Sequence, residues 1–221
     1  PTCTDPAKSG ALFGKQLVVT TDVNHAYSVV AADINGDGFL DLASASHRDN
    51  KIAWYQNLDG KGNFSKQLVI TTNGNGFNSV VAADINGDGY IDLASTSGDG
   101  IAWYQNLDGN FSKPLVVTTK AINAQSVVAA DINGDGYIDL ASASGDGTIA
   151  WYQNLDGKGT FGKQLVVTTN ANGATSVVAA DINGDGYIDL VSASYSDNTI
   201  AWYQNLDGKG NFGKQLVVTT N

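Results

Sequence analysis

The sequence predicts an all-β fold, a β-propeller of four-stranded antiparallel blades, from three observations. A block of about fifty residues returns four times. Each return holds four short β-favouring runs and no helical period of apolar residues. Asp-Gly turns close those runs into hairpins. Four strands in a period of about 40–50 residues is the pattern of a propeller blade. A parallel β-helix needs much shorter coils, and a β-sandwich does not repeat its sequence four times.

Residues 1–12 form a nonrepetitive tail. Phe13-Gly-Lys-Gln-Leu-Val-Val-Thr-Thr21 is the first copy of a run that recurs from Phe64, Phe111, Phe161 and Phe212. Its alternation and its Val and Thr content mark it as a strand, the fourth or outer strand of a blade. Linkers of constant length and changing sequence follow, at 22–27, 73–78, 120–125 and 170–175. Next comes Ser-Val-Val-Ala-Ala, a first strand whose small Ala residues suit a crowded inner position. An Asp-Gly nonapeptide leads to Leu-Ala-Ser-Ala-Ser, the second strand, and a turn leads to the third, Ile52-Ala-Trp-Tyr-Gln-Asn-Leu58, repeated around Trp103, Trp151 and Trp202. The propeller domain is expected to span 13–221, with blades at about 28–72, 79–119, 126–169 and 176–221.

The outer strand occurs five times and the other three occur four times. A ring closed within one chain needs only four outer strands, so 13–21 is expected to be an extra one. Edge strands are covered or used. The expected ring is four-bladed, with 13–21 packed outside it. Pairing with another chain's sheet edge, or a larger ring shared between chains, stays open. Self-association could run through this strand or through Cys3, the only cysteine, which excludes an intrachain disulfide.

The nonapeptide Asp33-Ile-Asn-Gly-Asp-Gly-Phe-Leu-Asp41 returns as 84–92, 131–139 and 181–189. Oxygen side chains at positions 1, 3, 5 and 9, a carbonyl at 7 and a Gly at 6 are what a hard cation such as Ca²⁺ requires. The expected ligands are Asp33, Asn35, Asp37, Phe39 (carbonyl) and Asp41 in the first loop. By register they are Asp84, Asn86, Asp88, Tyr90 and Asp92 in the second, Asp131, Asn133, Asp135, Tyr137 and Asp139 in the third, and Asp181, Asn183, Asp185, Tyr187 and Asp189 in the fourth. An EF-hand would place Glu at position 12, between helices; here that position is Ser, and the chain has no Glu. These are calcium loops between strands, about four ions in all, with a structural role. Four ions would bring the net charge from −10 to −2.

The repeats Asp-Ile-Asn-Gly-Asp-Gly-Tyr-Ile-Asp-Leu and Ile-Ala-Trp-Tyr-Gln-Asn-Leu-Asp-Gly resemble the FG-GAP/VCBS repeat of integrin α-subunit propellers and of many secreted microbial and algal proteins. The resemblance covers roughly 13–221. It implies a propeller with one Ca²⁺ in the loop between the first two strands of each blade, and it constrains fold more than role.

The acidity excludes a nucleic-acid partner, which calls for a basic face. No segment has the length of a membrane-spanning helix and nothing resembles a signal peptide, so no membrane insertion is expected. With Pro1 first and no Met, the chain reads as a processed or excised product. Loops of this kind suit extracellular calcium concentrations, so a secreted or cell-surface location is expected. Catalysis lacks support, because only His25 and His47 are present as histidines and no Ser-His-Asp spacing exists.

The four Trp residues could stack on sugars, but identical placement in every blade favours packing between sheets. The Tyr beside each points the other way, so one of the pair is expected nearer solvent or a blade boundary. Sequence variation concentrates at the end opposite the calcium loops. Candidate ligand residues there are His25, Tyr27, His47, Arg48, Phe77, Asn78, Asp99, Gln125, Asp146, Tyr195 and Asp197. Neutral drift in loops would produce the same variation. The expected function is noncatalytic recognition of an extracellular glycan, as in a lectin, or of a protein. The alternatives are a building block of a surface layer, matrix or filament, and an accessory domain of a secreted enzyme.

Overall fold

A computed structural model of the chain describes residues 15–220. Those residues contain no helix, and their strands form four four-stranded antiparallel sheets. Blade 1 consists of β1 (Ala26–Ala32), β2 (Asp41–Ser46), β3 (Lys51–Tyr55) and β4 (Leu68–Thr71). Blade 2 consists of β5 (Ser79–Ala83), β6 (Asp92–Ser97), β7 (Gly100–Tyr104) and β10 (Leu115–Thr118). Its turn carries the two-residue strands β8 (Asn106–Leu107) and β9 (Asn110–Phe111). Blade 3 is β11 (Ala124–Ala130), β12 (Asp139–Ser144), β13 (Ile149–Tyr152) and β14 (Leu165–Thr168). Blade 4 is β15 (Ala174–Ala180), β16 (Asp189–Ser194), β17 (Thr199–Tyr203) and β18 (Leu216–Thr220). Each sheet runs in chain order from inner to outer strand, as the repeat predicts.

The core lies between the blades. Three apolar clusters fill the three junctions: Ile34, Trp54, Leu93 and Tyr104 join blades 1 and 2; Ile85, Trp103, Leu140 and Tyr152 join 2 and 3; Ile132, Trp151, Leu190 and Tyr203 join 3 and 4. Each Trp therefore faces the next blade and each of these Tyr faces the previous one. Trp54, Trp103 and Trp151 and these Tyr residues are buried at opposite blade boundaries, the second of the two placements expected for the pair. The Tyr hydroxyls pair with the central Ser of the second strand, as Ser95 Oγ with Tyr104 Oη at 3.2 Å, which satisfies a polar atom that burial would otherwise penalise. Trp103 fits because Gly159 lies beside it: a Cβ there would sit 2.1 Å from the indole, and Gly210 makes the same allowance for Trp151.

Two expectations are corrected. Lys15–Thr21 forms no strand, and Leu17 and Val18 are exposed; Phe13 and Gly14, like Cys3, lie outside the described residues. Its last residues, Val19–Thr21, line a groove with Phe64–Gln67 without a sheet ladder, and the adjoining Asp22 carbonyl accepts from Gln67 Nε2 (3.1 Å) and Lys51 Nζ (3.3 Å). The four-bladed ring does not close either. Contact passes from β1 to β5 to β11 to β15, without a comparable return from β15 to β1. Val29 is 66% exposed where Val80 in blade 2 is 5% exposed, and Ile182 is 49% exposed where Ile85 is 1%. The four blades form an open arc.

Removing Trp103 takes a large side chain out of a closed junction, so Trp103→Ala should cost about 3–5 kcal/mol in denaturant unfolding. Trp202 lies on the open face of blade 4 and is only half-buried, so Trp202→Ala should cost about 1–2 kcal/mol. Equal losses for the two would contradict packing between blades as the source of stability.

Candidate metal centres

Each acidic loop follows the inner strand and folds on its own oxygens. In the first, the Asp37 amide donates to Asp33 Oδ1 (3.0 Å) and Asn35 Oδ1 (3.1 Å), Gly38 N to Asp33 Oδ2 (2.9 Å) and Phe39 N to Asp37 Oδ1 (2.9 Å). The same bonds recur from Asp88, Asp135 and Asp185, each within 0.1 Å of the first. The first, third and fifth side chains are thereby turned toward one another. Backbone amides hold Asp37 and Asp185 below the usual carboxylate range.

The ninth residue behaves differently from the other three. Asp41, Asp92, Asp139 and Asp189 are fully buried at the start of the second strand. Asp92 accepts from Ile85 N at 3.0 Å and from Asn106 N at 2.7 Å, and the other three repeat the pair. Burial pushes Asp92 up to about 6 and Asp139 up to about 7, against the opposing pull of those amides. Apart from Asp189 Oδ2, which also accepts from Trp202 Nε1 at 3.0 Å, each oxygen retains a lone pair beyond its bond to an amide.

The residue that completes this arrangement is one that sequence reasoning passed over. Asn106, at the end of the third strand, donates Nδ2 to Ile91 O (2.9 Å) of its own loop and to Ile34 O (2.7 Å) of the previous blade's loop. Its Oδ1 accepts from Gly109 N (2.8 Å) in the turn. Asn154 and Asn205 make the same bonds. The available signal was its recurrence in every Trp-Tyr-Gln-Asn-Leu. The seventh residue also has a second role: the Phe39 ring packs on Gly60, where φ is +66° and a Cβ would lie 2.5 Å from the ring.

The loops offer oxygen donors only, and among the described residues none of their carboxylates has a Lys or Arg within 4.0 Å; the salt bridges found there join Lys51 to Asp22 and Asp49. Among those residues no group of three His, Cys, Asp or Glu side chains is gathered so that it could hold a metal ion. Oxygen donors in excess of positive side chains fit a hard divalent cation.

At the other end, Tyr27 stacks on His47 with centroids 5.0 Å apart, and His47 Nδ1 meets Asn78 Oδ1 at 2.8 Å. His25, Arg48, Asp99, Asp146 and Tyr195 are exposed on separate turns, with Gln125 and Asp197 half-buried. Asp146 and Gln125 bond within their own turn and linker, and Asp197 accepts from Thr199 Oγ1 in its turn and from Asn172 N in the linker. Phe77 and Asn78 are not surface groups as expected. Phe77 is 2% exposed in the core between blades 1 and 2, and Asn78 is buried with Nδ2 on Ala124 O.

Propeller blades joined through acidic loops define a repeat protein of the β-propeller class. The chain belongs to the FG-GAP-like repeat family, whose model matches 33–95, 84–142, 131–192 and 181–221. Among solved structures it is similar to an Agrocybe aegerita lectin that specifically recognises non-reducing terminal N-acetylglucosamine (23% identity, TM-score 0.64, 86% of this chain and 51% of that one). It is also similar to the V. cholerae biofilm matrix protein Bap1 (27%, 0.51, 86% and 28%) and to BBS1N from its complex with ARL6DN (14%, 0.60, 90% and 55%). The chain thus spans about half of that lectin or less than a third of Bap1. A search of curated proteins finds no significant match.

The buried and exposed acids predict different losses. Asp92→Ala strands two buried amides that bond a charged group, so it should cost about 3 kcal/mol or more in urea unfolding even in chelator. Asp88→Ala, at the exposed loop tip, should cost under about 1 kcal/mol there. The reverse order would show that the ninth residue has no role without metal.

Proposed function

We propose that this chain is a noncatalytic, calcium-stabilised extracellular recognition module, with glycans as the preferred ligand class. The observation that carries it is the division of labour between the ends of the blades. One end repeats the same acidic loop four times. The other holds nearly all the variation, on turns fixed by a rigid scaffold, and exposes Tyr27 stacked on His47 together with Tyr195. Aromatic faces beside polar donors suit the apolar faces and hydroxyls of sugars. The propeller fold shared with a lectin, and the similarity to a biofilm matrix protein, support recognition outside the cell.

In each loop the ion would be held by the first, third and fifth side chains, the seventh carbonyl and the free lone pairs of the ninth carboxylate. It would supply the positive charge that the loops otherwise lack. The ions belong to the scaffold and leave recognition to the opposite end. Metal analysis should find about four Ca²⁺ per chain, and excess EDTA should lower the melting temperature markedly; an unchanged melt with no bound metal rejects the calcium reading. On a glycan array, saccharide hits that Tyr27→Ala abolishes without changing the melting temperature support the recognition reading. A blank array overturns the glycan assignment.

A further inference from the structure

Each blade returns from its third strand to its outer strand through a hairpin tip occupied by Asn63, Asn110, Thr160 or Asn211, and a Phe follows in every case. The next residue divides the blades into two pairs. In blades 1 and 2 it is Ser, giving Asn63-Phe64-Ser65 and Asn110-Phe111-Ser112, and in blades 3 and 4 it is Gly162 and Gly213. Asn-x-Ser with x other than Pro is the acceptor pattern for an N-linked glycan, and the sequence contains it at these two places only.

The fold presents both acceptors openly. Asn63 and Asn110 are exposed, in hairpins closed by the Asn57–Phe64 bridge and by the β8–β9 pair. Thr160 and Asn211 are exposed as well, so no neighbouring blade covers this position. Among the described residues the side-chain amides of Asn63 and Asn110 make no hydrogen bond, whereas Asn211, which lacks the Ser, donates Nδ2 to Asp207 Oδ2 at 2.6 Å.

The two hydroxyls also have bonds within the fold. Ser65 Oγ accepts from Gln56 N at 3.0 Å and donates to Lys66 O at 2.9 Å, and Ser112 repeats both bonds with Gln105 and Lys113. The hairpin does not require them, because the Asn154–Phe161 and Asn205–Phe212 bridges form with Gly in that place. They do set the order of events. A hydroxyl engaged by backbone on both sides is not free to meet a transferase, so the acceptor is used before the hairpin folds.

We propose that Asn63 and Asn110 are N-glycosylation sites, modified on the nascent chain by transfer from a polyprenyl-diphosphate-linked oligosaccharide. The amide nitrogen loses one proton and bonds to the anomeric carbon of the first sugar. The bond from that carbon to the diphosphate oxygen breaks, and the lipid diphosphate leaves with the electron pair. The proposal rests on the extracellular reading above, since this transfer acts on chains entering a secretory route. Asn110 borders the groove between β4 and the blade 2 turn, lined by Trp54, Leu68, Val69 and Phe111, in which Leu68 and Val69 are 41% and 51% exposed. A glycan rooted there starts at the edge of an apolar strip that protein leaves uncovered. Both sites lie at the acidic-loop end of their blades, so the variable end with Tyr27 and Tyr195 stays free for recognition.

The test takes the protein from the cells that make it, separated into secreted and intracellular fractions. After peptide-N-glycosidase treatment in heavy-oxygen water, peptides of the secreted chain should show Asn63 and Asn110 recovered as labelled Asp, with Asn211 recovered as Asn. An unmodified Asn at either position of secreted chain overturns the assignment of that site and leaves the extracellular reading standing. Chain found only inside the cell and unmodified overturns both. As a second measurement, the full chain passed through a eukaryotic secretory route should carry two glycans. Asn63→Gln and Asn110→Gln should each remove one, and Ser65→Ala should remove the glycan on Asn63 while leaving the acceptor in place. Glycans that survive these substitutions overturn the proposal.

Discussion

The arrangement depends on one side-chain amide. Asn106 and its counterparts receive no help from sequence hydrophobicity, yet each ties its own acidic loop, its own turn and the loop of the previous blade through bonds of 2.7–3.2 Å. The amide N–H of the same residue anchors the buried ninth Asp. A buried network of this kind is stabilising only when every member is satisfied. The loop that gathers charge and the contact that joins neighbouring blades are therefore a single hydrogen-bonded unit.

Stability in such an array is a sum of blade terms and nearest-neighbour terms. All three apolar clusters lie between blades, and strands β6 and β12 are buried along their whole length because a blade covers each face. Strand β16, the equivalent in blade 4, is only partly covered. Blade 4 is thus the least covered of the described blades, whereas β2 of blade 1 is buried along nearly its whole length.

Blade number, strand order and loop placement were legible in the sequence, because turn residues and the fifty-residue period constrain them directly. What escaped was anything decided by the presence or absence of a neighbour. Lys15–Thr21 and 214–220 are the same seven residues, yet Leu216–Thr220 of the second pairs with β17 as a strand and the first forms none, since propensity cannot supply a sheet edge. Phe77 sits in a variable linker and so resembled a surface residue, while the junction beneath it made it core. Asp41 shares its residue type with Asp33 and Asp37, but its place at the head of β2 buries it and gives it amide partners.

The near-identity of the junctions means that the forward face of blade 1 fits the rear of blade 3 or 4 almost as well as that of blade 2. Correct order is favoured once neighbouring blades are folded, because only a six-residue linker joins them, whereas a still-unfolded blade is long enough to let its neighbours meet across it. Two outcomes follow. Refolding from the fully unfolded chain should be prone to trapped states in which blades are docked out of sequence and must separate before folding can finish. In the gene, whole-blade gain or loss would regenerate a native junction at the seam, so arrays of this kind can change length without redesigning a single contact.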